Sequence, residues 1–157
     1  MKTKINLGAV ALMAGMLFTG AQASGEVAAD DVVVNEDRQV VEALTSQAGD
    51  AASGKKWFAD RKLGNCLACH QNADLASQPF HGEIGPELNG VSDRFSEAEL
   101  RAIVVDSKSV FGPESVMPSF YRTKDFARTA KAFAGKSILT AQQLEDVLAY
   151  LMTLKEQ

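Results

Sequence analysis

The sequence predicts an all-α fold, on three observations. Two capping boxes open helices, Ser96 with Glu99 and Thr140 with Gln143. Behind each, apolar residues recur at helical spacing: Leu100, Ile103 and Val104 in the first, Leu144, Val147, Leu148, Leu151 and Leu154 in the second. No β-alternating run of useful length appears after residue 50.

Taken in order, the chain opens with Lys2 and Lys4 before an apolar run from Leu7 to Phe18, interrupted only by Gly8 and Gly15. Ala21-Gln22-Ala23 follows with the small-x-small pattern of a secretory cleavage site, so residues 1–23 read as a signal peptide, removed after export. The run is too short for a membrane anchor, since a spanning helix needs about 20 apolar residues. The mature chain then has no expected membrane segment.

Residues 24–50 read as an acidic N-terminal extension. Seven acids (Glu26, Asp30, Asp31, Glu36, Asp37, Glu42 and Asp50) face a single base, Arg38. Val32-Val33-Val34, Val40-Val41 and Leu44 suggest a strand-like arm and a short helix. A segment this poor in aromatic residues has little to bury alone, so a solvated leader and a docking arm are both open readings. Residues 51–157 read as one domain, in which thirteen acids balance thirteen bases. The full chain carries −4, and this balance excludes a nucleic-acid-binding role.

The domain opens with a helical stretch containing Gly54, Trp57, Phe58 and Leu63. Gly54 permits close backbone approach, expected against the last helix near Tyr150. The stretch leads to Cys66-Leu67-Ala68-Cys69-His70, the attachment pattern of c-type haem. Two thiols a turn apart can bond both vinyl groups of one porphyrin, and the adjacent imidazole of His70 can ligate its iron. A thioredoxin-like pair needs no following His, and zinc needs further ligands, whereas the chain has no other Cys and only His81 besides. Haem c attached at Cys66 and Cys69 is the expected cofactor. Such attachment belongs outside the cytoplasm, in agreement with the signal peptide.

After residue 23 only two methionines occur, Met117 and Met152. Met152 sits within the leucine-rich helix and reads as core filler. Met117 sits on a loop stiffened by Pro118 and preceded by Gly112-Pro113, the setting of a distal thioether ligand. His81 is the rival, eleven positions after His70 in a polar stretch. A His/Met pair raises the haem potential and suits an electron acceptor.

Ile84-Gly85-Pro86-Glu87-Leu88-Asn89-Gly90 is similar to the Gly-Pro-x-Leu-x-Gly segment of class I cytochromes c. That resemblance implies a class I cytochrome c fold, helices wrapped around one haem, with the Pro86 carbonyl accepting the Nδ1–H of His70. Together, Gly64 to His70, Gly85 to Phe95 with its Asp93-Arg94-Phe95, Leu100 to Asp106, and Met117 to Arg122 resemble the SoxX family over most of residues 51–157. SoxX is the small monohaem subunit of the SoxAX cytochrome of bacterial sulfur oxidation. The resemblance implies a periplasmic subunit of an L-cysteine S-thiosulfotransferase with His70 and Met117 on the iron and no catalytic residue of its own. It implies as partners a SoxA-like dihaem or monohaem cytochrome, the SoxYZ carrier through the complex, and a downstream soluble cytochrome c. A freely diffusing class I cytochrome c, or a subunit of another periplasmic oxidoreductase, are the alternatives. Arg122, Lys124, Arg128, Lys131 and Lys136 form a basic stretch that reads either as a docking rim or as a solvated face over Phe126 and Phe133.

Overall fold

A computed structural model describes residues 25–124, 126 and 128–156; the signal peptide assigned to residues 1–23 lies outside them. The helices are α1 (Ala51–Ala59), α2 (Val91–Arg94), α3 (Glu97–Phe111) and α4 (Ala141–Leu151), with single 3-10 turns at Ala29–Asp31, Cys66–Ala68, Ala73–Leu75 and Lys131–Phe133. The described residues contain no strand. None of their helices is long and apolar enough to cross a membrane.

The frame is the crossing of α1 on α4, with α3 packed against α4. The Asp50 side chain caps α1 by accepting from Ser53 N–H at 2.7 Å. Its backbone N–H donates to Asp146 on α4 at 2.9 Å, and Trp57 Nε1–H donates to the other Asp146 oxygen at 3.1 Å. Gly54 lies directly on the Asp146 carbonyl, where any Cβ would overlap it. Phe58 and Tyr150 meet edge to face at 5.4 Å. Both expected capping boxes form, at Ser96 with Glu99 and at Thr140 with Gln143. The α4 helix ends at Leu151, yet Leu154 beyond it stays buried and Met152 packs at the core margin.

Two elements differ from the sequence expectation. The helix expected to run toward Gly64 stops at Ala59, and Asn65 turns the chain in the left-handed region (φ 48°) to start the Cys66–Ala68 turn. Asn tolerates that conformation better than most residues. The acidic segment is a packed strap and not a loose leader. It forms no strand, but Val32, Val40 and Leu44 join the core. Leu44 N–H donates to Glu145 at 2.9 Å, and the Val40 carbonyl accepts from Arg101 at 3.1 Å.

Under the strap lies a buried ion pair. Arg101 Nε and Nη2 meet the two Glu145 oxygens at 2.9 and 3.0 Å, both side chains only 5 % exposed. Burial opposes the Arg101 charge, and the Glu145 and Glu97 carboxylates outweigh it, so the guanidinium titrates above its usual value. Removing one partner strands the other. Arg101→Ala is expected to destabilise the holoprotein by about 3–5 kcal/mol, whereas the double replacement Arg101→Met with Glu145→Leu costs less than either single loss. Urea unfolding of the three proteins checks this; a double variant less stable than both singles refutes it.

Candidate functional site: a haem cavity

The site is built from three stretches of loop held on the helical frame. In the first, the 3-10 turn at Cys66 brings Cys69 N–H and His70 N–H onto the Cys66 carbonyl at 3.1 and 2.9 Å. Leu67 is thereby driven into the core, while Cys66, Cys69 and His70 line a cavity of about 620 Å³. The second stretch, residues 82–88, is stitched to the first. Gly82 N–H donates to Leu67, Gly85 N–H to Cys69 and Leu88 N–H to Gln71, at 2.7, 2.8 and 3.0 Å.

That stitching delivers the Pro86 carbonyl to 2.7 Å from His70 Nδ1, so Nδ1 carries the proton and Nε2 keeps its lone pair for a metal. Gly85 lies flat against the imidazole. A Cβ there would stand 2.6 Å from Nδ1 and 2.8 Å from Nε2. Gly85→Ala is accordingly expected to tilt the ring and weaken its bond to iron, lowering the yield of low-spin holoprotein several-fold. Unchanged yield and an unchanged visible spectrum would show that the ring is not set by this contact.

The third stretch carries Met117, half-buried, which lines the same cavity together with Pro118 and Phe120. The Met117 carbonyl is fixed by Ser107 Oγ at 2.6 Å and Lys108 Nζ at 2.8 Å. Walls from Phe95, Ile103, Val104, Leu139 and Leu151 make the interior apolar. A cavity of this size falls within the roughly 300–1,000 Å³ of cofactor sites.

His81 is elsewhere. It does not line the cavity, and both ring nitrogens are engaged: Nδ1 accepts from Asn72 N–H at 3.4 Å and Nε2–H donates to the Leu75 carbonyl at 3.1 Å. Its partner Asn72, buried, also donates to Tyr150 Oη at 3.0 Å, and that hydroxyl donates to Asp74 at 2.7 Å. This network ties residues 72–81 to α4, a structural use of the second histidine.

The donor set fits haem c and disfavours its rivals. Two thiols, an imidazole with its Nε2 lone pair and a thioether share one apolar cavity. Cys66 and Cys69 are half-buried thiols that are not joined to each other, and burial pushes the Cys66 thiol up to about 12, the reverse of what a nucleophilic redox pair requires. Among the described residues no three His, Cys, Asp or Glu side chains converge as a metal cage.

Of the basic stretch, Arg122 and Lys124 turn back onto the protein, pairing with Asp106 and Asp30 at 2.9 Å each. Arg128, Lys131 and Lys136 are exposed, while Phe126 is half-buried and Phe133 lines the cavity. Asp106 was not among the sequence candidates for the site. Its signal is slight: an acid directly after the apolar run Ala102–Val105 and before Ser107, inside a helical pattern.

Comparison with known proteins agrees with this geometry. The cytochrome c family profile matches residues 51–155. A comparison with curated protein sequences found no match. Among solved structures, the crystal structure of SoxXA from P. pantotrophus contains a chain 41% identical to this one, with a TM-score of 0.76, covering 83% of this chain and 99% of that one. The cofactor is therefore one covalently bound haem c, and the role is electron transfer. Its class I cytochrome c fold, its single Cys-x-x-Cys-His motif and this identity place the chain in the cytochrome c family, as a member of its SoxX branch.

Proposed function

We infer that this chain is the electron-accepting subunit of a SoxXA-type complex, in which thiosulfate is joined oxidatively to a cysteine of the SoxYZ carrier. That joining replaces the carrier's S–H bond by an S–S bond and releases one proton and two electrons. Held by Cys66 and Cys69, a haem would supply a one-electron acceptor, so electrons would pass through it one at a time to a soluble cytochrome c. The observation that carries the reading is the single cavity gathering both thiols, His70 and Met117, with no further thiol or imidazole on its walls.

Each residue has a holding role. Cys66 and Cys69 would hold the porphyrin, His70 and Met117 would ligate its iron, and the Pro86 carbonyl fixes the imidazole and would strengthen it as a donor. With both His70 and Met117 on the iron, no coordination site would be left for thiosulfate. The chain also has no third cysteine to carry sulfur, so the sulfur chemistry falls to a SoxA-like partner. Export through residues 1–23 places the mature chain, the extension 24–50 with the domain 51–157, in the periplasm.

Two observations favour a complex over a free shuttle. The neighbouring structure is of SoxXA. In addition, Ile84, Phe111 and Val116 line the cavity while remaining 71%, 57% and 77% exposed, an apolar rim of the kind that partner surfaces cover. The test is purification from the native host followed by addition of SoxYZ and thiosulfate. A stable heterodimer with a second cytochrome, whose SoxX haem is reduced only with both additions, is expected. A monomer at all concentrations that thiosulfate and SoxYZ never reduce, with or without SoxA, supports the shuttle instead.

A further inference from the structure

We propose that Asp106 is the positioning residue of the distal ligand loop, a carboxylate that breaks α3 so that the broken turn can grip the segment carrying Met117. The inference rests on Met117 as the distal ligand.

At Asp106 the backbone leaves helical geometry (φ −151°, ψ 84°) within an otherwise continuous helix. In an intact helix the Val104 and Val105 carbonyls would accept from Lys108 and Ser109, four residues on. Here they accept from Phe120 N–H at 3.1 Å and Tyr121 N–H at 3.2 Å. The loop backbone takes the place of the missing turn. Lys108 N–H is received instead by Asp106 Oδ1 at 3.2 Å, so the carboxylate caps the second part of the helix that it interrupts.

The same carboxylate then reaches the loop. Oδ1 accepts from Ser119 Oγ at 2.7 Å, and Oδ2 accepts from Ser109 Oγ at 2.7 Å and Arg122 Nη1 at 2.9 Å. Asp106 is 7% exposed. Burial works to raise its pKa, and the Ser109 and Ser119 hydrogen bonds with the Arg122 charge outweigh that, holding it below the usual carboxylate range. Its neighbours finish the grip, since Ser107 and Lys108 bind the Met117 carbonyl. Residues 106–108 therefore hold the loop at positions 117, 119 and 122. A buried acid inside a helix has no packing reason to be there; fixing a ligand loop gives it one. A thioether is a weak iron ligand, so its occupancy depends on being presented in place.

The experiment uses oxidised holoprotein and free imidazole, which competes with the Met117 thioether for the iron. Losing hydrogen bonds to a charged group is expected to lower the Met-bound to Met-free ratio about tenfold. Asp106→Ala is then expected to bind imidazole about tenfold more tightly than wild type, with a weakened sulfur–iron charge-transfer band. Asp106→Asn, which keeps one acceptor oxygen, falls between them. The double variant Ser119→Ala with Arg122→Met keeps the cap and removes the loop side of the Asp106 contacts, so it decides the matter if Asp106→Ala does not fold. Stability to urea is followed in parallel, because a merely structural residue lowers it without changing imidazole affinity. Met117→Ala is the reference. If it keeps the band and wild-type imidazole affinity, the ligand assignment fails. If it loses the band while the Ser119/Arg122 variant keeps wild-type imidazole affinity, the role proposed for Asp106 is overturned.

Discussion

Replacing Cys66 and Cys69 together by Ser is expected to give a chain that releases all its haem on acid–solvent extraction and is poorly folded once the haem is gone. Wild-type holoprotein, in contrast, is expected to keep its haem in a denaturing gel and to show no titratable thiol, because both cysteines would be consumed as thioethers. The reason for the large effect is where the haem lies. Cys66 and Cys69 border a cavity of about 620 Å³ whose walls come from α2, α3, α4 and all three loops. Without the haem those apolar walls would face water, and a domain is stable by only about 5–15 kcal/mol in all. The ligand therefore holds the fold as much as the fold holds the ligand. Far-UV circular dichroism of the haem-free double variant provides the second readout. Two reactive thiols in wild-type holoprotein, or a fully helical haem-free variant, would refute the assignment.

Met117→Ala is expected to abolish the sulfur–iron charge-transfer band and lower the midpoint potential by on the order of 0.1 V, since the axial ligand is the main control of haem potential. His81→Ala is expected to change neither. The contrast follows from placement: Met117 lines the cavity, whereas both ring nitrogens of His81 are taken up by Asn72 and the Leu75 carbonyl outside it. His81→Ala instead loosens the loop that these bonds hold, a loss of about 1 kcal/mol for each hydrogen bond removed, seen only in unfolding. Loss of the low-spin spectrum in His81→Ala, with Met117→Ala unaffected, would reverse the ligand assignment. The two variants thus separate a ligand from a loop anchor, a distinction that the spacing of the two residues from His70 leaves open.

By itself the sequence determined the chemistry and the local starts of the helices. Cys66-Leu67-Ala68-Cys69-His70 sets two thiols and an imidazole within one turn, and each capping box needs only residues three apart. Such signals are local, because the atoms that interact are neighbours along the chain. Only the tertiary structure decided which of Met117 and His81 shares the cavity with His70. It also decided that the acidic strap is packed, and that α3 breaks at Asp106. Each of these rests on partners far apart in sequence: Leu44 on Glu145, Tyr121 on Val27, Asp106 on Ser119 and Arg122. An acid in a helical pattern, or valines in an acidic leader, carry no local mark of such partners. Their burial is favourable only once the chain has closed on itself and supplied the donors that a buried carboxylate or carbonyl requires.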